Sequence, residues 1–237
     1  MQNRDLHECE FRKLYGRRRG KRLRPSQIAR LKDDLPELEI SASIQSNPDR
    51  AFLDCASIFD ADAPVWLEIG FGSGEHLLYQ AELHPDIGLI GCEPYLNGVA
   101  SLLGKLRTSS ARNVRIYPGD FRDVLDVLPA GSVDRVFLLY PDPWPKRRHR
   151  KRRVVNSEYL DPLARTMRQG AELRLATDIE SYAAQAIEKI LPRGDLEWVA
   201  HSPRDWRQPW PDWPSTRYER KAVKEGRKPL YLTFRRV

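Results

Sequence analysis

Val65-Trp66-Leu67-Glu68-Ile69-Gly70-Phe71-Gly72-Ser73-Gly74-Glu75 is the stretch that decides the fold. A short apolar run ends in three glycines at alternate positions, and a helix candidate, Glu75–Leu83, follows at once. Glycine accepts the left-handed backbone of a tight strand-to-helix turn and lets a ligand approach the main chain. Outward from this unit the rhythm persists. Strand candidates Ile87–Cys92, Val114–Tyr117, Val133–Tyr140, Ala171–Thr177, Leu196–His201 and Pro229–Arg235 alternate with helix candidates Tyr95–Leu106, Phe121–Leu128, Glu158–Met167, Ile179–Leu191 and Thr216–Lys224. The helix candidates carry apolar residues on one face, as at Leu96, Val99, Ala100, Leu103 and Leu106. The alternation predicts a doubly wound α/β fold on a mostly parallel seven-stranded sheet. Such sheets bind ligands beyond the carboxyl ends of their strands. Residues 58–237 read as this single domain. Residues 1–57, polar and broken by Pro25, Pro36 and Pro48, read as a flexible basic arm without a sustained period.

The residues at those carboxyl ends narrow the ligand. In Gly70-Phe71-Gly72-Ser73-Gly74 the third glycine follows the second too soon for a dinucleotide fold, and no Gly-Lys-Ser/Thr follows for a phosphate cradle. Glu68, just before the turn, would repel phosphate and attract a cation. S-adenosylmethionine offers both a sulfonium and an ammonium. Glu93 ends the second strand, where a carboxylate can accept hydrogen bonds from both ribose hydroxyls of an adenosine. Asp120 ends the third, in reach of the adenine. Each acid alone could equally be a helix N-cap or a solvated charge. Three of them at successive strand ends favour a ligand.

Charge points to the partner. The net charge is +7, yet Arg12–Arg24 holds eight Lys/Arg and no acid, and Lys146–Arg153 holds seven in eight positions. The rest of the chain is therefore acidic, and two cationic segments on an acidic body suit a polyanion held at chosen places. A solvated tail is the alternative for the first segment. No apolar run approaches the ~20 residues of a membrane span. Cys9, Cys55 and Cys92 are scattered and odd in number, and His7, His76, His84, His149 and His201 form no ligand spacing, so neither a disulfide framework nor a metal site is expected. A reduced, cytoplasmic protein is expected.

After the fourth strand comes Tyr140-Pro141-Asp142-Pro143-Trp144-Pro145-Lys146-Arg147-Arg148-His149-Arg150-Lys151-Arg152-Arg153. Three prolines in five residues stiffen a loop that can hold Asp142 and Trp144 against a substrate. The glycine turn and the acids resemble the class I S-adenosylmethionine-dependent methyltransferases. The proline-rich loop is similar to the P-D-P-W-x-K-x-R-H-x-K-R-R signature of the bacterial tRNA (guanine-N7)-methyltransferase family. Ala176-Thr177-Asp178, Thr216-Arg217-Tyr218-Glu219-Arg220 and the arm's Tyr15-Gly16-Arg17-Arg18-Arg19-Gly20 fit that family as well. Tyr140 departs conservatively from its usual Phe.

The resemblance implies S-adenosylmethionine as cofactor and guanine 46 in the variable loop of tRNA as target. It implies a donor site of Glu68, Gly70, Gly72, Gly74, Glu93, Asp120 and Asp142, with Asp142 also catalytic. It further implies substrate contacts from Lys146, Asp178, Thr216, Arg217, Tyr218 and Glu219, and RNA contacts from Arg148, His149, Arg150, Lys151, Arg152 and Arg153. Guanine N7 carries an in-plane lone pair and no proton, so no general base is required, and Asp142 is expected to act by electrostatics. Trp144 offers a face on which a base can stack. Three alternatives are kept. One is a base amino-methyltransferase, whose short Asp/Asn-Pro-Pro-aromatic loop Asp142-Pro143-Trp144-Pro145 approaches. Another is a non-catalytic RNA-binding relative of the fold, and the third is a nicotinamide oxidoreductase. The Trp206–Trp213 loop reads as packing.

Overall fold

A computed structural model describes residues 14–16, 18, 20–40, 44, 52–59 and 63–237. Cys9, His7, Arg17 and Arg19 lie outside them. Two helices come first, α1 (Pro25–Asp33) and α2 (Leu35–Leu38). There follow β1 (Val65–Ile69), α3 (Glu75–Leu83), β2 (Gly88–Cys92), α4 (Leu96–Leu106), β3 (Val114–Tyr117), α5 (Phe121–Val127) and β4 (Val133–Leu139). The second half runs α6 (Ser157–Thr166), β5 (Met167–Thr177), α7 (Glu180–Ile190), β6 (Leu196–Trp198), α8 (Arg204–Arg207), α9 (Arg217–Lys224) and β7 (Leu230–Arg236).

The strands form one sheet of order β3-β2-β1-β4-β5-β7-β6. β1 pairs in parallel with both β2 and β4, and helices on the two faces leave every residue of Val-Trp-Leu-Glu-Ile buried. β7 runs antiparallel to β5 and to β6, which makes the sheet mixed at that edge. Leu67, Ile69, Val136, Leu138, Leu173 and Leu175 build one core with α5, α6 and α7. Trp66, Leu89, Phe137 and Leu139 build the other with Leu77 of α3 and Val99, Leu102 and Leu103 of α4. The strand order reverses between β2-β1 and β4, which opens the crevice described below.

One expectation needs correction. The segment Pro25–Leu38, read as part of an arm without a helical period, forms α1 and α2. Leu35 and Ile40 are buried, and Ile40 N–H bonds to the Ile116 carbonyl at 3.1 Å, so the chain bridges to the β3 edge. Arg107 on the α4 side grips Asp34 with two bonds of 2.8 Å. The period was hidden because α1 buries none of its residues fully.

Candidate active site

The glycine turn is built as its spacing suggests. Gly70, Gly72 and Gly74 have φ of +75°, +57° and +71°, in the region that side chains avoid. Gly74 caps α3 from this conformation, and a Cβ there would lie 2.5 Å from a Leu102 methyl carbon. Around Gly70 the space is open. From below, α4 presses on the turn so closely that a Cβ on Gly98 would lie 2.1 Å from the Gly72 carbonyl oxygen. Lys105 Nζ donates to the Ser73 carbonyl at 2.8 Å.

A cavity of about 490 Å³ opens above this turn, at the carboxyl ends of β1, β2 and β4. Gly70, Gly72, Glu93, Asp120, Asp142, Arg217 and Tyr218, all named from the sequence, share its walls with Tyr95, Trp144, Tyr159 and Tyr182. Its size suits a nucleoside-sized ligand. Glu93 Oε2 accepts the Gly72 N–H at 2.6 Å and Oε1 accepts the Tyr95 N–H at 2.9 Å. Burial outweighs those two bonds and raises the Glu93 pKa from 4.5 to about 7. Asp120 caps α5 through the Arg122 N–H and also binds the Arg122 guanidinium. The N-cap alternative for Asp120 therefore describes one of its roles, and the cavity wall is the other.

Asp142 is different. Among the described residues its carboxylate accepts no hydrogen bond, and desolvation by the cavity walls raises its pKa. Tyr140 and Trp144, at φ +48° and +39°, bracket it in the left-handed region. Two strained non-glycine residues within five positions mark a loop whose shape the surroundings enforce. Arg152 lies against the rings of both Trp144 and Tyr15, its guanidinium carbon 4.9 and 4.7 Å from their centroids. One approach to Trp144 is thus already filled by a cation. Tyr218 stands over the glycine turn, 3.2 Å from a Cβ placed on Gly72. Its neighbour Arg217 ties α9 to α3 by an N–H bond of 2.9 Å to Glu75.

Several sequence-named residues stand elsewhere. Glu68 is buried and does not line the cavity. Its Oε2 is 2.7 Å from His76 Nδ1, and it and Thr216 border a small adjoining cavity. Gly74 faces Leu102. Thr216 caps α9 by accepting the Glu219 N–H at 3.2 Å. Glu219 is buried and accepts from Trp213 Nε1 at 2.8 Å and from the Tyr231 hydroxyl. Asp178 pairs with Arg227.

The cationic loop divides too. Arg147–Arg152 form a 3₁₀ turn beside the cavity, with Lys146, Arg148, Arg150 and Lys151 exposed. Desolvation and the charges of Arg152, Arg148 and Lys146 lower the His149 pKa, which disfavours its cationic form. Arg153, read as an RNA contact, is instead 1% exposed. Its guanidinium donates to the carbonyls of Pro143 and Ser181 and to the Ser181 and Gln185 side chains. It fastens the proline-rich loop to α7. Leu14, Tyr15 and Gly16 also wall the cavity, a placement that charge counting could not reveal.

The region matched by the family model described as "Putative methyltransferase", residues 62–232, spans β1 to β6 and the first residues of β7. A tRNA (guanine-N(7)-)-methyltransferase of Ruegeria sp. (strain TM1040) is 56% identical over 95% of this chain and 88% of its own length. That of Roseobacter denitrificans is 55% identical over 94% and 95%. One from Zymomonas mobilis is still 44% identical over 96% and 95%. Among solved structures, the 16S rRNA methyltransferase KamB superposes with a TM-score of 0.51 at 17% identity, covering 78% of this chain and 94% of that one, a likeness of fold. The acid-lined crevice, the glycine turn and the proline-rich loop thus lie in a sequence that matches such enzymes almost from end to end, and the chain belongs to the tRNA (guanine-N7)-methyltransferase family.

Proposed function

We propose that this protein transfers the methyl group of S-adenosylmethionine to N7 of a guanine in tRNA, at position 46 of the variable loop. The observation that carries the reading is the Asp142 carboxylate, unpartnered among the described residues, in a cavity shared with Glu93 and flanked by an exposed cationic loop. The residues present fit the donor. The turn leaves open space at Gly70, and the walls carry carboxylates and aromatic rings. Among the described residues, no cationic side chain hydrogen-bonds to Glu93.

When bound, S-adenosylmethionine supplies an electrophilic methyl group on a sulfonium. Glu93 would accept from its ribose hydroxyls with the lone pairs that Gly72 and Tyr95 leave free, and Asp120 would border its base. Asp142 would accept from the amino edge of guanine. As charge passes to the purine, the same carboxylate stabilises it without taking a proton. The stiff loop fixes that carboxylate in advance, and such alignment can supply on the order of 7–11 kcal/mol of a barrier. Lys146, Arg148, Arg150 and Lys151 would take phosphates. Arg217 and Tyr218 would close on the substrate, held by Thr216 and Glu219 behind them. Glu68, paired with His76, borders the small adjoining cavity behind the turn. The reaction belongs in the cytoplasm, where tRNA is found.

The test is incubation of unmodified tRNA transcripts with labelled S-adenosylmethionine, followed by borohydride reduction and aniline treatment. Scission at a single variable-loop guanine supports the reading. Incorporated label without scission means the acceptor is not guanine N7, and the reading fails.

A further inference from the structure

The basic arm touches the domain at a side chain to which no role has been given. Asn97, in the first turn of α4, holds the arm from both sides. Its Oδ1 accepts the Gly20 N–H at 3.0 Å and its Nδ2 donates to the Lys21 carbonyl at 2.8 Å. A third tie runs from Leu96 N–H to the Arg18 carbonyl at 3.2 Å. The fit is close, since a Cβ on Gly20 would fall 2.0 Å from the Tyr95 hydroxyl. A few residues earlier the arm becomes a wall of the donor cavity. Leu14, Tyr15 and Gly16 line it, and a Cβ on Gly16 would lie 3.4 Å from Asp142 Oδ2.

The segment Glu93–Asn97 therefore begins at the carboxylate assigned to the donor and ends at the clamp on the arm. Tyr95 contributes to both, through its N–H to Glu93 and its hydroxyl against Gly20. Arg18, Lys21, Arg22 and Arg24 remain exposed on the clamped stretch. Their phosphate contacts would favour the same arm position that completes the cavity wall.

We propose that Asn97 is a positioning residue that pins the basic arm across the rim of the donor cavity, so that tRNA and donor strengthen each other's binding. The proposal rests on the cavity being the donor site. If both ligands favour the pinned arm, each must raise the affinity of the other by the same factor. Neither ligand touches Asn97 in this scheme, so its loss removes the coupling rather than either site.

The experiment measures S-adenosylhomocysteine affinity by calorimetry, with and without an unmodified tRNA transcript. The full chain, Asn97→Ala, Asn97→Asp and Gly20→Ala are compared. In the full chain tRNA is expected to tighten S-adenosylhomocysteine binding on the order of fivefold or more. Asn97→Ala should bring that ratio close to one, and Asn97→Asp, which keeps the acceptor for Gly20, should retain part of it. Gly20→Ala lifts the arm by a different route and should also lose the gain, which decides the matter should Asn97→Ala fold poorly. The proposal is overturned if the full chain shows no gain, or if folded Asn97→Ala or Gly20→Ala keeps it. Absence of S-adenosylhomocysteine binding in the full chain overturns the reading of the cavity itself.

Discussion

Asp142 and Glu93 both have pKa values raised by desolvation, yet they differ in what surrounds them. Glu93 already accepts two backbone N–H groups, whereas Asp142 accepts none among the described residues. Asp142→Asn keeps the shape of the side chain and removes its charge. If the carboxylate stabilises a cationic purine, that change should lower kcat on the order of a hundredfold or more and alter the Kd of S-adenosylhomocysteine little. Full activity in Asp142→Asn would remove electrostatics from the mechanism. For Glu93 the expectation is a pH dependence. Between 4.5 and about 7 the folded protein binds a proton there that the unfolded chain releases. Stability therefore declines as pH rises through that window and levels off above it. Donor affinity should run the other way, improving towards pH 7 and above as the carboxylate ionises. Both trends should be absent in Glu93→Gln, measured by thermal melts and calorimetry from pH 5 to 8.5.

The Trp-rich loop shows how elements support these residues. Trp210 donates to the Thr233 hydroxyl at 2.9 Å, and Asp212 receives the Arg174 guanidinium in two bonds of 2.8 and 2.9 Å. Trp213, packed edge-on against Trp210 and Tyr231 and tilted against His76, donates to the buried Glu219. The loop thus anchors α9 and, through it, Arg217 and Tyr218 at the cavity mouth. Trp213→Phe keeps most of the packing and removes one bond to a carboxylate, an interaction of about 1.5–3 kcal/mol. A lower melting temperature and a raised KM for tRNA, with the S-adenosylhomocysteine Kd nearly unchanged, is the expected result. The packing reading of these tryptophans was available from their number alone, but their partner Glu219 was not. A Thr-Arg-Tyr-Glu string does not say which side chain turns inward. β1 and β2 were legible because each is buried along its whole length and is followed at once by a glycine or an acid. The direction of β7 was not, since a strand's own sequence carries no sign of its partner's polarity. Glu68 illustrates the same limit. Its position before the turn is plain, but its pairing with His76, eight residues on, depends on how α3 lies over β1.

Across the whole molecule, two cationic segments sit on an otherwise acidic chain, and described residues of both border one cavity. The loop Lys146–Arg152 flanks it on one side, and the arm walls it through Leu14–Gly16. Charge spread evenly over such a surface would bind tRNA anywhere. Net positive charge concentrated in these two segments, on a chain that is otherwise net negative, favours orientations that bring a polyanion's backbone past the cavity. Counting arginines cannot separate the two kinds found in this loop, because Arg153 is buried in protein bonds while Arg148 and Arg150 face solvent. A salt titration can. Replacing Arg148, Arg150 and Lys151 by Gln should weaken tRNA binding and flatten the plot of log K against log salt by roughly one unit for each phosphate no longer neutralised. Replacing Arg153 by Gln should leave that slope unaltered and instead lower the melting temperature, since its removal strands the Pro143 and Ser181 carbonyls and frees the proline-rich loop from α7. A slope that falls with Arg153→Gln while the melting temperature holds would put this guanidinium on the RNA and detach the loop's rigidity from it.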